Sequence, residues 1–227
     1  MDIWSIFFPK KCIGCGIFGA YLCSNCFSRI EFTVSSVCAV CSKPSLDGRT
    51  HPFCKGRYDI DGVIAGVVYK GIIKRLLYQF KFKPYLFDLR ATIADLFYES
   101  LIQHEVFMQI EKDNAIFSPI PLHQRKLQIR GYNQAELLAR DLAERFLLPV
   151  KTLLKRKKET TSQVGKTRKE RRINLQGAFE INCEIDEKNI FLVDDVVTSG
   201  ATLNEAAKTL KKAGAEKVWG LAFAHGE

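Results

Sequence analysis

The spacing of the cysteines constrains this chain more than any other feature. Seven of the eight cysteines lie before residue 55, and the first six form three C-x-x-C pairs: Cys12–Cys15, Cys23–Cys26 and Cys38–Cys41. In a chain read as cytosolic, for the reasons given below, this spacing argues for metal rather than disulfides. Two thiolates three residues apart on a turn reach the same tetrahedral ion. Cys12-Ile13-Gly14-Cys15-Gly16 has that form, and Cys23-Ser24-Asn25-Cys26 offers a second half-site. Four thiolates complete a closed structural zinc site. Free or redox-active thiols would satisfy one such pair but are strained as a reading of three. Cys38 and Cys41 form a third half-site, to which Cys54 adds a sulfur. Position 57, where another cysteine would complete the pattern, holds Arg57, so His51 is the candidate fourth ligand. A decayed second site is the alternative. A crossed pairing, with Cys12 and Cys15 sharing an ion with a later pair, fits the spacing as well. Residues 1–57 therefore read as a zinc-ribbon appendage that draws its folding energy from metal, and residues 58–227 as the body. Cys183, alone near the other end, reads as structural.

A hydrophobic fraction of 47% in 227 residues excludes a disordered chain, and 15 Gly with 7 Pro exclude collagen-like repeats. No stretch approaches the roughly 20 apolar residues that cross a bilayer. The apolar start carries Asp2 where a signal peptide has basic residues, and Pro9 and Lys10 cut it off. A cytoplasmic protein with no membrane insertion is expected.

The body alternates strand-like and helix-like segments. Val63–Tyr69 is a β-branched apolar run. Ile72, Ile73, Leu76, Leu77 and Phe80 have helical spacing, and a longer helix is expected over 86–106. A short strand follows at 115–118, a helix at 135–146, a strand at 190–193, a helix at 201–212 stopped by Gly214, and a last strand at 217–224. This order predicts an α/β fold, a mostly parallel sheet with helices on both faces. Ligands in such folds sit at the carboxyl ends of the strands.

The segment that carries chemistry is Ile190-Phe191-Leu192-Val193-Asp194-Asp195-Val196-Val197-Thr198-Ser199-Gly200-Ala201-Thr202. An apolar strand runs into two acids, then into a turn of hydroxyl residues and glycine, then into a helix. Backbone N–H groups at a helix start suit an anion, and the helix dipole adds to the attraction. Thr198, Ser199 and Thr202 add hydroxyls, Gly200 permits close approach, and Ala201 opens the helix. Asp194 and Asp195 stand where sugar hydroxyls could donate to them, so a phosphorylated sugar would satisfy both halves. Plain helix capping by Thr198 or Ser199 is the bland reading, but capping does not call for two acids. No G-x-x-x-x-G-K loop is present.

This segment resembles the phosphoribosyl-pyrophosphate signature of type I phosphoribosyltransferases. Two further stretches are similar to those of the ComF (ComFC) competence-protein family: Pro119-Ile120-Pro121-Leu122-His123 through Arg130-Gly131-Tyr132-Asn133-Gln134, and Thr161-Ser162-Gln163 through Arg171-Arg172-Ile173-Asn174. With the cysteine-rich start, the resemblance covers nearly the whole chain. It implies a type I phosphoribosyltransferase-like body behind a zinc ribbon. It also implies that Asp194 and Asp195 meet the ribose hydroxyls and that residues 198–202 hold the 5-phosphate. Arg130 and Gly131 would belong to the pyrophosphate turn, and the stretch from Arg156 to Arg172, with Gln163, Arg168, Arg171 and Arg172, to a mobile loop over the site. At Lys166 this stretch is more basic than the family pattern, where an apolar residue is common. Mg2+ would arrive with phosphoribosyl pyrophosphate. Lys81-Phe82-Lys83 matches a further family feature, and His123 is the histidine inside a site segment.

The formal net charge of +9 is concentrated between Lys151 and Arg172, where ten cations face Glu159 and Glu170 alone. Such a block attracts polyanions, although a solvated face is equally compatible with it. Two function classes follow. The resemblance implies a role in natural transformation, handling single-stranded DNA with a competence helicase-like ATPase as partner; Tyr58, Tyr69, Tyr78, Tyr85 and Tyr132 are candidate stacking rings. The alternative is an active phosphoribosyltransferase acting on a base or another acceptor. Pyrophosphate loss from the sugar would leave an oxocarbenium-like centre and an anionic leaving group, which cations stabilise.

Overall fold

The computed structural model describes residues 9–32, 36–82, 89–111, 115–159 and 168–226. Four runs rich in β-branched and aromatic residues pair as a parallel sheet in the order β1-β6-β5-β2. They are β1 (Gly62–Val68), β2 (Ile116–Pro119), β5 (Asn189–Val197) and β6 (Lys217–His225). The two central strands are nearly continuous apolar runs, as burial on both faces requires. A separate antiparallel pair joins β3 (Leu154–Arg156) to β4 (Phe179–Ile181).

One face of the sheet is covered by α1 (Gly71–Phe82), α2 (Leu89–Leu101), α3 (Glu105–Glu111) and α5 (Gln134–Phe146). A cluster of rings, Phe107, Phe117, Phe146 and Phe191, fills the space beneath them. The other face is covered by α6 (Arg168–Leu175) and α7 (Ala201–Lys212) with β3 and β4. Between β2 and α5, the short helix α4 (Gln124–Arg130) is capped by the His123 ring and ended by Gly131 in the left-handed conformation.

The helix expected over 86–106 is two helices. His104 N–H bonds back to the Leu101 carbonyl and closes α2 before α3 begins. The strand expected at 190–193 continues to Val197, so Asp194 and Asp195 lie inside it, with Asp194 registered against Ala222 of β6. Among the described residues no helix is long and apolar enough to cross a membrane.

The cysteine-rich unit lies along the edge strand β1 rather than hanging off it. Thr50 N–H donates to the Asp61 carbonyl and Val68 N–H to the Glu31 carbonyl, so both ends of β1 are tied to it. Arg75 of α1 donates to the Gly14 carbonyl at 3.1 Å. The connection at 59–61 is pinned by α7. Asn204 receives the Ile60 N–H at 2.9 Å and donates to Asp59 at 3.0 Å, and Lys211 pairs with Asp61 at 2.7 Å.

Candidate functional site

Two four-ligand clusters form in the cysteine-rich unit. Cys12, Cys15, Cys23 and Cys26 make one; Cys38, Cys41, His51 and Cys54 make the other, and within each cluster the ligand atoms lie within 4.8 Å of one another. A tetrahedral zinc with Zn–S bonds of about 2.3 Å holds its sulfurs about 3.8 Å apart. Cys15 Sγ and Cys23 Sγ are 3.6 Å apart, and Cys41 Sγ is 3.3 Å from His51 Nδ1. His51 Nε2 lies 2.9 Å from the Pro44 carbonyl. A carbonyl cannot donate, so Nε2 carries the proton and Nδ1 is left as the ligand atom, the arrangement that orients metal-binding imidazoles. Both donor sets fit structural zinc, and the half-sites pair in sequential order rather than crossed. Gly14 has a steric reason: a Cβ there would stand 2.4 Å from Cys26 Sγ.

The second feature is a cavity of about 240 Å3 at the carboxyl end of the sheet. Asp194 and Asp195 reach it from β5, Thr202 from α7, Arg130 from the end of α4, and Gln134 from the start of α5. Lys81 from α1, Lys126 from α4 and Arg156 from β3 complete a lining of four cations against two carboxylates, which makes the cavity anion-seeking. Lys81 Nζ is 2.5 Å from Asp195 Oδ2. Burial works against the lysine's charge, but Asp195 and then Asp194 outweigh it and raise its pKa. Lys126 is pushed down by burial and by its neighbours Arg156 and Arg130. Burial, reinforced by the Asp195 carboxylate, pushes Asp194 up to about 7. Arg130 is held by its bond to Gln134 Oε1 at 2.6 Å and by the Phe82 ring, 5.5 Å from its guanidinium. The Tyr132 hydroxyl donates to the Phe80 carbonyl, and the Asn133 side chain accepts from Ala135 N–H. That turn points the N-terminal end of α5 at the cavity.

α7 begins at Gly200 (φ 68°), which has no side chain of its own to cap the helix. Ala201 is buried as its first residue. Thr198, Ser199 and Gly200 border a second, water-sized hollow, whose far wall is Ser36, Val37, Ala39 and Ser42 of the cysteine-rich unit.

The remaining predicted residues are placed as follows. Gly131 serves as the left-handed stop of α4 and does not line the cavity. Arg172 is exposed, and its guanidinium donates to the Val40 carbonyl of the second metal cluster. Gln163 lies outside the described residues, as do the side chains of Arg168 and Arg171. His123 caps α4 at its start. Lys126 and Gln134 lie within the stretch that resembles the family's pyrophosphate turn but were not singled out there, and Arg156 was read only as part of the basic loop.

A parallel sheet with an acid pair on a central strand, a glycine-started helix beside it and a ribbon with two four-ligand metal clusters at its edge defines a phosphoribosyltransferase-like protein with an N-terminal double zinc ribbon. Residues 133–224 match the phosphoribosyl transferase domain family and residues 3–56 the double zinc ribbon domain family. The chain is 31% identical over 228 residues to "Competence protein F" of Haemophilus influenzae, covering 90% of this chain and 97% of that protein. It is 31% identical over 207 residues to "Competence protein ComFC" of Streptococcus pneumoniae, covering 87% and 84%. It is 27% identical over 203 residues to "DNA utilization protein YhgH" of Escherichia coli strain K12, covering 87% of each. The chain belongs to the ComF competence-protein family.

Proposed function

We propose that this chain is a cytoplasmic DNA-uptake protein that handles single-stranded DNA and binds phosphoribosyl pyrophosphate in the cavity over Asp194 and Asp195. The supporting observation is convergence. Two acids, a helix start with Thr202, and the cations Lys81, Lys126, Arg130 and Arg156 come from five separate elements and meet in one cavity. The acids accept from the ribose hydroxyls, the start of α7 takes the 5-phosphate, and the cations take the pyrophosphate. Mg2+ enters with the ligand and neutralises part of its charge. Zinc in the two clusters is structural. The names of the relatives support the DNA role, and a helicase-like ATPase of the uptake machinery is the proposed partner.

A second reading, transfer of the phosphoribosyl group to an acceptor, is favoured by the completeness of the cation set. Lys126 and Arg130 border the cavity on the side of the pyrophosphate turn, where charge grows on a departing pyrophosphate.

Calorimetric titration of the zinc-loaded protein with Mg2+–phosphoribosyl pyrophosphate tests the site. The expected result is saturable heat from the wild type and none from a double Asp194→Asn, Asp195→Asn variant, with a single-stranded oligonucleotide still bound by both. Absence of heat from the wild type would sink the ligand reading and leave an enzyme fold used to hold DNA.

A further inference from the structure

The second metal knuckle touches the proposed phosphate turn directly. Cys38-Ala39-Val40-Cys41 forms the knuckle, and Ala39 is 4% exposed and packed in the core on the α7 face of the sheet. A Cβ at Gly200 would stand 3.0 Å from Ala39 Cβ, 3.1 Å from its Cα and 3.2 Å from its carbonyl oxygen. Gly200 is the residue from which α7 starts. One position along the knuckle, the Val40 carbonyl accepts from Arg172 of α6. α6 follows the basic loop and packs on α7. The knuckle thus meets both the turn that opens α7 and the helix that closes the basic loop. The water-sized hollow between knuckle and turn leaves little slack on that side.

We propose that the second knuckle, through Ala39, is a positioning wall for the phosphate turn, so that metal binding at Cys38, Cys41, His51 and Cys54 and sugar-phosphate binding at the turn reinforce each other. The proposal rests on the sugar-phosphate reading above. Physically, the orientation of the N–H groups at the start of α7 depends on the backbone at Gly200, a glycine in the left-handed region with no side chain to brace it. The knuckle backbone supplies the brace, and the metal fixes the knuckle. Because coupling between two binding events is reciprocal, each ligand should hold the other more tightly.

Ala39→Leu pushes atoms into the Gly200 backbone, while Ala39→Gly and Ala39→Ser do not. Zinc content and melting temperature are measured first, so that only variants carrying two zinc ions per chain are compared. Calorimetry with Mg2+–phosphoribosyl pyrophosphate should then show Ala39→Leu weakened at least about tenfold, the scale of an overpacked contact, with Ala39→Ser near wild type. Independently, release of zinc from the wild-type protein to a colorimetric chelator should separate into two phases, and saturating ligand should slow one of them. Equal affinity in the wild type and Ala39→Leu, with zinc release indifferent to ligand, would overturn the coupling and leave the sugar-phosphate site intact. If the wild type itself shows no heat, the site reading fails, and the coupling with it.

Discussion

Asp194 sits inside the buried strand β5, and burial with the Asp195 carboxylate beside it holds its pKa at about 7, against an ordinary value of 3.8. The folded chain therefore binds this proton more tightly than the unfolded chain. The resulting stability is fully present below the unfolded value and is lost as pH rises through about 7. Asn cannot ionise and has nearly the shape of the protonated acid. Asp194→Asn is expected to melt above the wild type at pH 8, by more than about 3 °C, with the gap closing towards pH 5. Thermal melts at both values check this, and a gap that ignores pH would place the cause elsewhere. The same substitution should abolish sugar-phosphate binding, a trade of stability against function common at binding sites. The acids, Thr202 and Arg130 were legible in the sequence because each lies in a contiguous motif. Lys126 and Arg156 were not legible as cavity residues, and Lys81 was only a family match. Their sequence neighbours say nothing about where the ends of α1, α4 and β3 meet.

At the scale of elements, the long strands and helices were readable because burial imposes a period on them. The break between α2 and α3 was not, since Leu101, Val106 and Phe107 are all buried and the apolar pattern runs across it. β3 and β4, three residues each, are too short to show an alternation. The cysteine spacing gave the ligands but not their pairing, because which half-sites face each other depends on the path of the intervening chain. The knuckles now carry separable expectations. Gly14→Ala should expel zinc from the first cluster, because the added methyl meets Cys26 Sγ. His51→Ala should empty the second, and His51→Cys should restore it, a thiolate being an equivalent ligand. Metal analysis after gel filtration should read two zinc ions per chain in the wild type and one in Gly14→Ala and His51→Ala. A wild-type value of one would reject the Cys3His assignment.

Across the whole molecule, each edge of the sheet has a neighbour among the described residues: the zinc unit at the two ends of β1, and the segment that bonds Phe117 to Pro149 and Lys151 beside β2. The proposed path for single-stranded DNA is therefore sought in exposed rings and cations rather than in strand pairing. The tyrosines expected to stack mostly do not stand clear. Tyr132 is tied to Phe80, Tyr58 lies between Arg57 and Lys212, and Tyr85 is outside the described residues; Tyr78 is exposed. Among the described residues of the zinc unit, Phe18 and Phe53 are exposed rings and Phe27 is exposed beside the Phe32 ring, with Lys11 Nζ 4.7 Å from the Phe18 ring centroid. A ring beside a cation suits a base stacked next to its phosphate. Binding of a short single-stranded oligonucleotide, followed by fluorescence anisotropy across a salt series, should weaken linearly on a log–log scale. Lys11→Ala should reduce that slope by about 0.7, the value for one neutralised phosphate on a single strand. Phe18→Ala should leave the slope unchanged and cost about 1–3 kcal/mol, the value of one stacked base. Wild-type affinity and slope in both variants would move the DNA path off this knuckle and onto the basic stretch between Lys151 and Arg172.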